Sequence, residues 1–169
     1  NMGIGFLGGN GGGKTFWASC IANALLDAGA TVYMSTLTKT QIQDELTTSS
    51  KAIERLTGTK VTLFRPPYGD YNNTVIETVK SMNMHTIQRD VDSLDWKNLS
   101  ATDITKRVTE KTKSGSILLF HNAAKNTPEA LPTILETLQK KGFEFVPISQ
   151  LIYKDNYEIK VDGTQSKIS

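Results

Sequence analysis

The feature that most constrains this chain is the return of short apolar runs separated by segments with their own helix start and stop signals. The runs are Met2–Leu7, Ala30–Met34, Lys60–Arg65, Met84–Asp90, Ser116–His121 and Phe143–Ile148, each read as a strand. Between the first two, Trp17, Ile21, Ala24, Leu25 and Ala28 share one helical face, and Gly29 is placed to end it. Thr38-Lys-Thr-Gln41 is a capping-box pattern for a helix through Leu56 that Gly58 closes. Asn72 or Asn73 caps a helix to about Ser81, and Ser100-Ala-Thr-Asp103 opens another that ends at Gly115. Thr127 reads as the cap of a helix with Pro128 in its first position and Gly142 at its end. A short helix is expected near Ser149–Tyr153. Strand and helix in alternation predict an α/β fold of repeated βα units, with about six mainly parallel strands joined by right-handed crossovers. An open, doubly wound sheet and a partly closed, barrel-derived sheet both satisfy the pattern. Residues 1–159 are read as a single α/β domain and 160–169 as a flexible polar tail.

Between the first strand and the first helix lies Gly8-Gly-Asn-Gly-Gly-Gly13-Lys14-Thr15, which fits the phosphate-loop spacing G-x-x-x-x-G-K-[ST]. A glycine loop between a strand and a helix start lets backbone N–H groups converge on an anion beside the helix dipole. The expected ligand-binding residues are Gly9, Asn10, Gly11, Gly12, Gly13, Lys14 and Thr15, with Lys14 supplying charge and Thr15 a hydroxyl for Mg²⁺. Asp90, at a strand end, is a second Mg²⁺ candidate. The expected ligand is ATP, another nucleotide or phosphate, held through its phosphates and not efficiently hydrolysed. A glycine-rich βα turn that binds nothing is the structural alternative.

The chain has 169 residues, enough for one compact domain with a sizeable core. Its formal charge of +2 arises from well-mixed acids and bases, so no nucleic-acid footprint is visible. The local basic groups at Lys106-Arg107, Lys111, Lys113 and Lys140-Lys141 read as solvated helix faces. A single cysteine, Cys20, excludes an internal disulfide. No apolar run approaches the ~18 residues of a membrane span, and no leader is recognisable, so a soluble, cytoplasmic monomer or weak homodimer is expected. In a parallel α/β fold, the loops at the carboxyl ends of the strands form the functional rim. Here they are Gly8–Thr15, Ser35–Thr38, Pro66–Tyr71, Asp90–Trp96, His121–Asn126 and the stretch after Ile148, where the notable polar residues gather.

Two families resemble different parts of the chain. Gly13-Lys-Thr-Phe16 and Ile21-Ala-Asn-Ala-Leu-Leu-Asp-Ala-Gly29 resemble the Walker A unit of AAA+ helicase-loader ATPases, over residues 1–34. Phe64-Arg-Pro-Pro-Tyr-Gly69, Asp92-Ser-Leu-Asp-Trp96 and Leu118-Leu-Phe-His-Asn122 resemble motifs of the polysaccharide deacetylases, in that family's order, over residues 35–157. That second resemblance implies that His121 matches the general acid and Arg65 the arginine that orients the catalytic carboxylate. It implies that Tyr68 matches the residue whose N–H holds the oxyanion, and that Asp95 and Trp96 line the site.

The same resemblance implies a divalent metal held by one aspartate of an Asp-Asp pair and by a His-x-x-x-His. This chain has no Asp-Asp pair, its only histidines are His85 and His121, and Thr31-Val-Tyr-Met34 stands where the metal histidines would be. No Zn²⁺ is therefore expected, and Arg65, Tyr68, Asp95 and His121 are read as relics of a catalytic set. Arg65 is expected to pair with a rim carboxylate such as Asp90, Asp92 or Asp95, and Trp96 and Tyr68 to be packing residues. On this reading the chain is two family fragments joined near Met34–Leu37. It would be an engineered chimera that binds phosphate or nucleotide. A metal-dependent polysaccharide deacetylase with a divergent site, and a scaffold without a ligand, are the alternatives.

Overall fold

The computed structural model describes residues 2–7 and 33–168. The glycine loop Gly8–Thr15, the helix expected after it and residues 30–32 lie outside the described residues. In chain order the strands are β1 Met2–Leu7, β2 Leu63–Phe64, β3 His85–Thr86, β4 Val91–Asp92, β5 Ile117–Leu119, β6 Phe143–Phe145, β7 Tyr157–Ile159 and β8 Gln165–Lys167. The described α-helices are α1 Lys39–Thr57, α2 Asn73–Ser81, α3 Ala101–Lys111, α4 Thr127–Lys140 and α5 Ile148–Leu151. Residues 2–7 and 89–168 form one compact unit, and residues 33–88 form another.

The first unit is built on a parallel sheet in the order β4-β5-β1-β6. β1 lies between β5 and β6, with Gly5 opposite Ile117 and Met2 opposite Phe143, while Val91 of β4 faces Leu118. Helical spacing explains the core. Ile104 and Val108 fall one turn apart on α3, and Ala130, Ile134 and Leu138 fall on successive turns of α4. With Val91, Leu118 and Phe120 they form one buried apolar cluster. Ser100 caps α3 through its hydroxyl, as expected, but the helix stops at Lys111, short of Gly115. Gly115 instead takes φ +84° in the turn before β5.

The second unit pairs β2 with β3 in parallel beneath α1 and α2. Met34, Ile42, Leu46, Ile53, Val61, Phe64, Val75, Val79 and Met84 make its core. The Thr38–Gln41 capping box is complete, and Gly58 ends α1 in the left-handed conformation at φ +67°. Asn72 caps α2 by accepting from the Val75 N–H.

Several expectations change. The strand expected from Met84 to Asp90 is reduced to β3, His85–Thr86, because its polar centre does not continue it, and β4 starts only after it, at Val91, in the other unit. Tyr33 is extended, but Met34–Thr36 is a turn of 3₁₀ helix rather than the end of a strand. The tail expected to be loose from Lys160 contributes β8, which pairs antiparallel with β7 through Ile159 opposite Gln165. Thr127 does not cap α4. Asn126 occupies the cap position without a side-chain cap bond, and Thr127 is the first helical residue. Among the described residues, no helix is long and apolar enough to cross a membrane.

Ile134 has no exposed surface, so truncation leaves a cavity that α4 cannot fill with its other side chains. Ile134→Ala is expected to cost about 2–5 kcal/mol in denaturant melts. A loss below about 1 kcal/mol would show that α4 is only loosely seated on the sheet.

Candidate active site

In the first unit, β4 and β5 run side by side and the loops at their carboxyl ends meet. β4 leads into a tight turn. Leu94 and Asn98 take positive φ, 55° and 56°, on either side of a 3₁₀ turn at Asp95–Lys97. A leucine in that conformation is strained, so it needs local support. Asp92 Oδ1 accepts the Leu94 N–H at 2.9 Å, and Arg107 Nε donates to the Asp92 carbonyl at 2.8 Å. The result turns Asp95 inward, where only 1% of it is exposed.

A buried carboxylate must be hydrogen-bonded or lose its charge. Asp95 is well supplied. Its Oδ2 accepts the His121 backbone N–H at 3.0 Å and the Thr127 hydroxyl at 2.6 Å, and its Oδ1 meets His121 Nδ1 at 2.7 Å. Ser93, fully buried, accepts the Asp95 N–H at 3.3 Å. Burial is the largest single influence on the Asp95 carboxyl and pushes its pKa up. Hydrogen bonds from Thr127, from the His121 backbone and ring, and from Ser93 together outweigh it and hold the carboxyl below its ordinary range. An ionised Asp95 accepts from Nδ1–H, which assigns proton exchange with a ligand to Nε2 of His121. The imidazole is one-third exposed at 33%. Trp96, 55% exposed, meets it edge-on with ring centroids 6.4 Å apart, and Lys97 Nζ lies 5.1 Å from the Trp96 ring centre.

Two of the expected relics, Asp95 and His121, are thus brought together. Trp96 is not a packing residue: it stands largely in solvent beside the histidine. Asp90 is tied into the sheet, accepting from the Ser116 hydroxyl at 2.8 Å and the Ile117 N–H at 2.7 Å. Asp92 lies 3.6 Å from Arg89. Arg65 and Tyr68 belong to the second unit, at and after the end of β2. There Tyr68 is also no packing residue, being 66% exposed. Residues Gly9, Asn10, Gly11, Gly12, Gly13, Lys14 and Thr15 lie outside the described residues. Sequence reasoning missed Thr127 and Arg107, read as a cap and a solvated base. The signal for Thr127 was its position just past a strand-end histidine, where a helix start faces the rim.

The comparisons with known proteins give no support to a Walker A unit and favour the deacetylase reading over the chimera. Residues 30–87 match the family model described as polysaccharide deacetylase, and that match runs through the supposed join at Met34–Leu37. The chain is 37% identical over 111 residues to a peptidoglycan-N-acetylglucosamine deacetylase of Listeria monocytogenes, covering 66% of this chain and 23% of that protein. Its fold is similar to that of a CE4 family pseudoenzyme from Bacillus anthracis, with TM-score 0.71, 25% identity, and 90% of this chain and 66% of that one covered. A mutant CE4 family pseudoenzyme with restored enzymatic activity gives TM-score 0.67 and 31% identity, over 80% of this chain and 52% of that one. The match spans about a fifth of the length of that Listeria protein and of a bifunctional xylanase/xylan deacetylase of Cellvibrio japonicus, 23% and 17%.

The expectation of ATP, nucleotide or phosphate, with or without Mg²⁺, is therefore corrected. A glycine-rich stretch satisfies the phosphate-loop spacing cheaply. The cofactor that the family implies is a divalent metal. The described residues do not fit one. Asp95 already accepts three bonds, Met34 is buried in the apolar core of the second unit, and no group of three His, Cys, Asp or Glu converges among the described residues.

Because the folded Asp95 pKa is depressed, its contribution to stability is complete above the ordinary aspartate value of about 3.9 and disappears as pH falls through the lower folded value. Thr127→Val removes one of the bonds that lower it. Urea melts across a pH series are expected to show Thr127→Val losing about 1.5–3 kcal/mol near neutrality and starting its acid decline at higher pH than the parent. Identical acid profiles would show that Thr127 does not stabilise the charge. Family model, sequence relatives and fold together recognise a polysaccharide deacetylase domain in this chain.

Proposed function

We propose that this chain is a polysaccharide deacetylase domain of the pseudoenzyme kind, which recognises N-acetylglucosamine polysaccharide without deacetylating it efficiently. The carrying observation is an imbalance between the two halves of the family's chemistry. The general-acid half is built in detail: His121 on Asp95, with Thr127 holding the carboxylate and Ser93 accepting the Asp95 N–H. Among the described residues the metal half is not. Thr31-Val-Tyr-Met34 replaces the histidine pair, and Met34 serves an apolar core. A deacetylase of this family uses its metal to polarise the amide and activate water, and a general acid alone leaves most of that barrier in place. The substrate class is supported by the Listeria protein, which is named for peptidoglycan N-acetylglucosamine. The Bacillus anthracis protein is described as a pseudoenzyme, which supports a chain of this fold that binds without turning over.

A second reading, an active deacetylase with divergent metal ligands, is favoured by the intact His121–Asp95 pair. One experiment separates the two. The chain is titrated with the β-1,4-linked tetramer of N-acetylglucosamine by calorimetry, and acetate release is followed with Co²⁺ or Zn²⁺ added. The pseudoenzyme reading expects a dissociation constant between about tens of micromolar and a millimolar, with acetate at the protein-free background. Acetate release that disappears in His121→Ala would decide for the active enzyme, and absence of binding together with absence of release would sink both readings.

A further inference from the structure

The second unit carries an exposed aromatic pair that the acid–base chemistry does not use. Tyr33 is 50% and Tyr68 66% exposed, yet their ring centroids lie 5.9 Å apart with planes inclined at 45°. Two large rings left in solvent gain little from each other alone, so the backbone that holds them there is informative. Tyr68 sits at φ +58°, a strained conformation for a side chain of its size. Gly69 follows at φ +70°, and its carbonyl accepts from Gln88 Nε2 at 3.0 Å. A Cβ on Gly69 would come within 2.8 Å of that same Gln88 nitrogen, so the turn is closely fitted as well as strained. The segment bearing Tyr33 is bolted to this turn. Asp70 Oδ2 accepts the Ser35 N–H at 2.8 Å, and Asn72 Nδ2 donates to the Ser35 carbonyl at 3.0 Å. Met34 anchors the same segment in the core, and Tyr71 packs on that core from the other side of the turn. The two residues are therefore pre-positioned by interior contacts while at least half of each stays exposed.

We infer that Tyr33 and Tyr68 form a stacking platform for a pyranose ring of an N-acetylglucosamine polysaccharide, with Tyr33 the residue that this chain adds. A pyranose offers a face of C–H groups bordered by hydroxyls. A tyrosine offers a flat apolar face ending in a hydroxyl, with few rotamers to freeze on contact. Holding the rings in place beforehand lowers the ordering cost of binding. Tyr33 belongs to the Thr31–Met34 stretch that stands in place of the metal histidines, so a segment lost to metal binding supplies a saccharide contact. The inference rests on the saccharide-binding reading above.

The full chain is titrated with the N-acetylglucosamine tetramer by calorimetry, beside Tyr33→Ala, Tyr33→Phe, Tyr68→Asn and Tyr153→Ala, with thermal melts to confirm folding. Asparagine tolerates the left-handed backbone at residue 68, so Tyr68→Asn removes the ring with little strain. Tyr33→Ala and Tyr68→Asn are expected to weaken binding about five-fold or more, while Tyr33→Phe and Tyr153→Ala stay close to the parent. Parent-like binding by Tyr33→Ala would overturn the platform and leave the saccharide-binding reading intact. Equal losses in Tyr33→Ala and Tyr33→Phe would overturn stacking as its basis. A parent chain that binds no tetramer would overturn both.

Discussion

The first unit's site depends on one buried charge. Asp95 is almost fully removed from solvent, and its desolvation is tolerable only because three donors from the His121–Thr127 segment converge on its two oxygens. This interaction does structural and chemical work together. It joins the loop after β4 to the loop after β5 and to the first residue of α4. It also fixes which nitrogen of His121 carries the proton that faces the carboxylate. Remove the carboxylate, and Thr127 and the His121 amide lose their acceptor in a buried place. The strained Leu94 turn would then have nothing to position. Such a centre explains how a chain can keep a catalytic-looking dyad for reasons of folding alone.

Much of this was legible in the sequence. The Thr38–Gln41, Asn72 and Ser100 caps were readable because they depend on residues three apart along the chain. Ile104, Val108, Ile134 and Leu138 were readable as helix faces for the same reason. The proximity of Asp95 and His121 came through the resemblance of their motifs, not from spacing. What local pattern could not show was the use of Thr127. A threonine followed by proline at a helix start looks like a cap, and only the neighbouring loop of β4 reveals that its hydroxyl is engaged elsewhere. The early end of the expected strand at Thr86, and the start of β4 only at Val91, were likewise invisible, since the boundary between the units falls between Gln88 and Arg89. The glycine loop misled for a different reason. Its spacing matched a phosphate-binding rule, but the family match continues through the place where a foreign fragment was supposed to end.

On the pseudoenzyme reading proposed above, the two units have diverged from a deacetylase to different extents. In one, the acid–base pair persists with its supports. In the other, Met34 has joined an aliphatic cluster. Once a ligand position is filled by a buried thioether, restoring the histidine would place an ionisable ring among Ile42, Leu46 and their neighbours, at a cost in packing as well as solvation. Loss of a metal ligand is in this sense self-reinforcing, because the core adapts to what replaced it.

The clamp on Ser35 has a consequence for how the second unit assembles. Its two bonds reach back from Asp70 and Asn72 across 35 and 37 residues, an excursion that contains the whole of α1 and β2. Closing a loop of that length has an entropic cost that two hydrogen bonds do not repay on their own. The closure becomes favourable once α1 has laid Ile42, Leu46 and Ile53 against Phe64 and thereby shortened the distance to be spanned. The placing of the aromatic pair thus rests on the helix that separates its members in sequence. The clamp's two hydrogen bonds lie outside the apolar cluster that seats α1, so opening the clamp would disperse the pair without requiring that helix to melt.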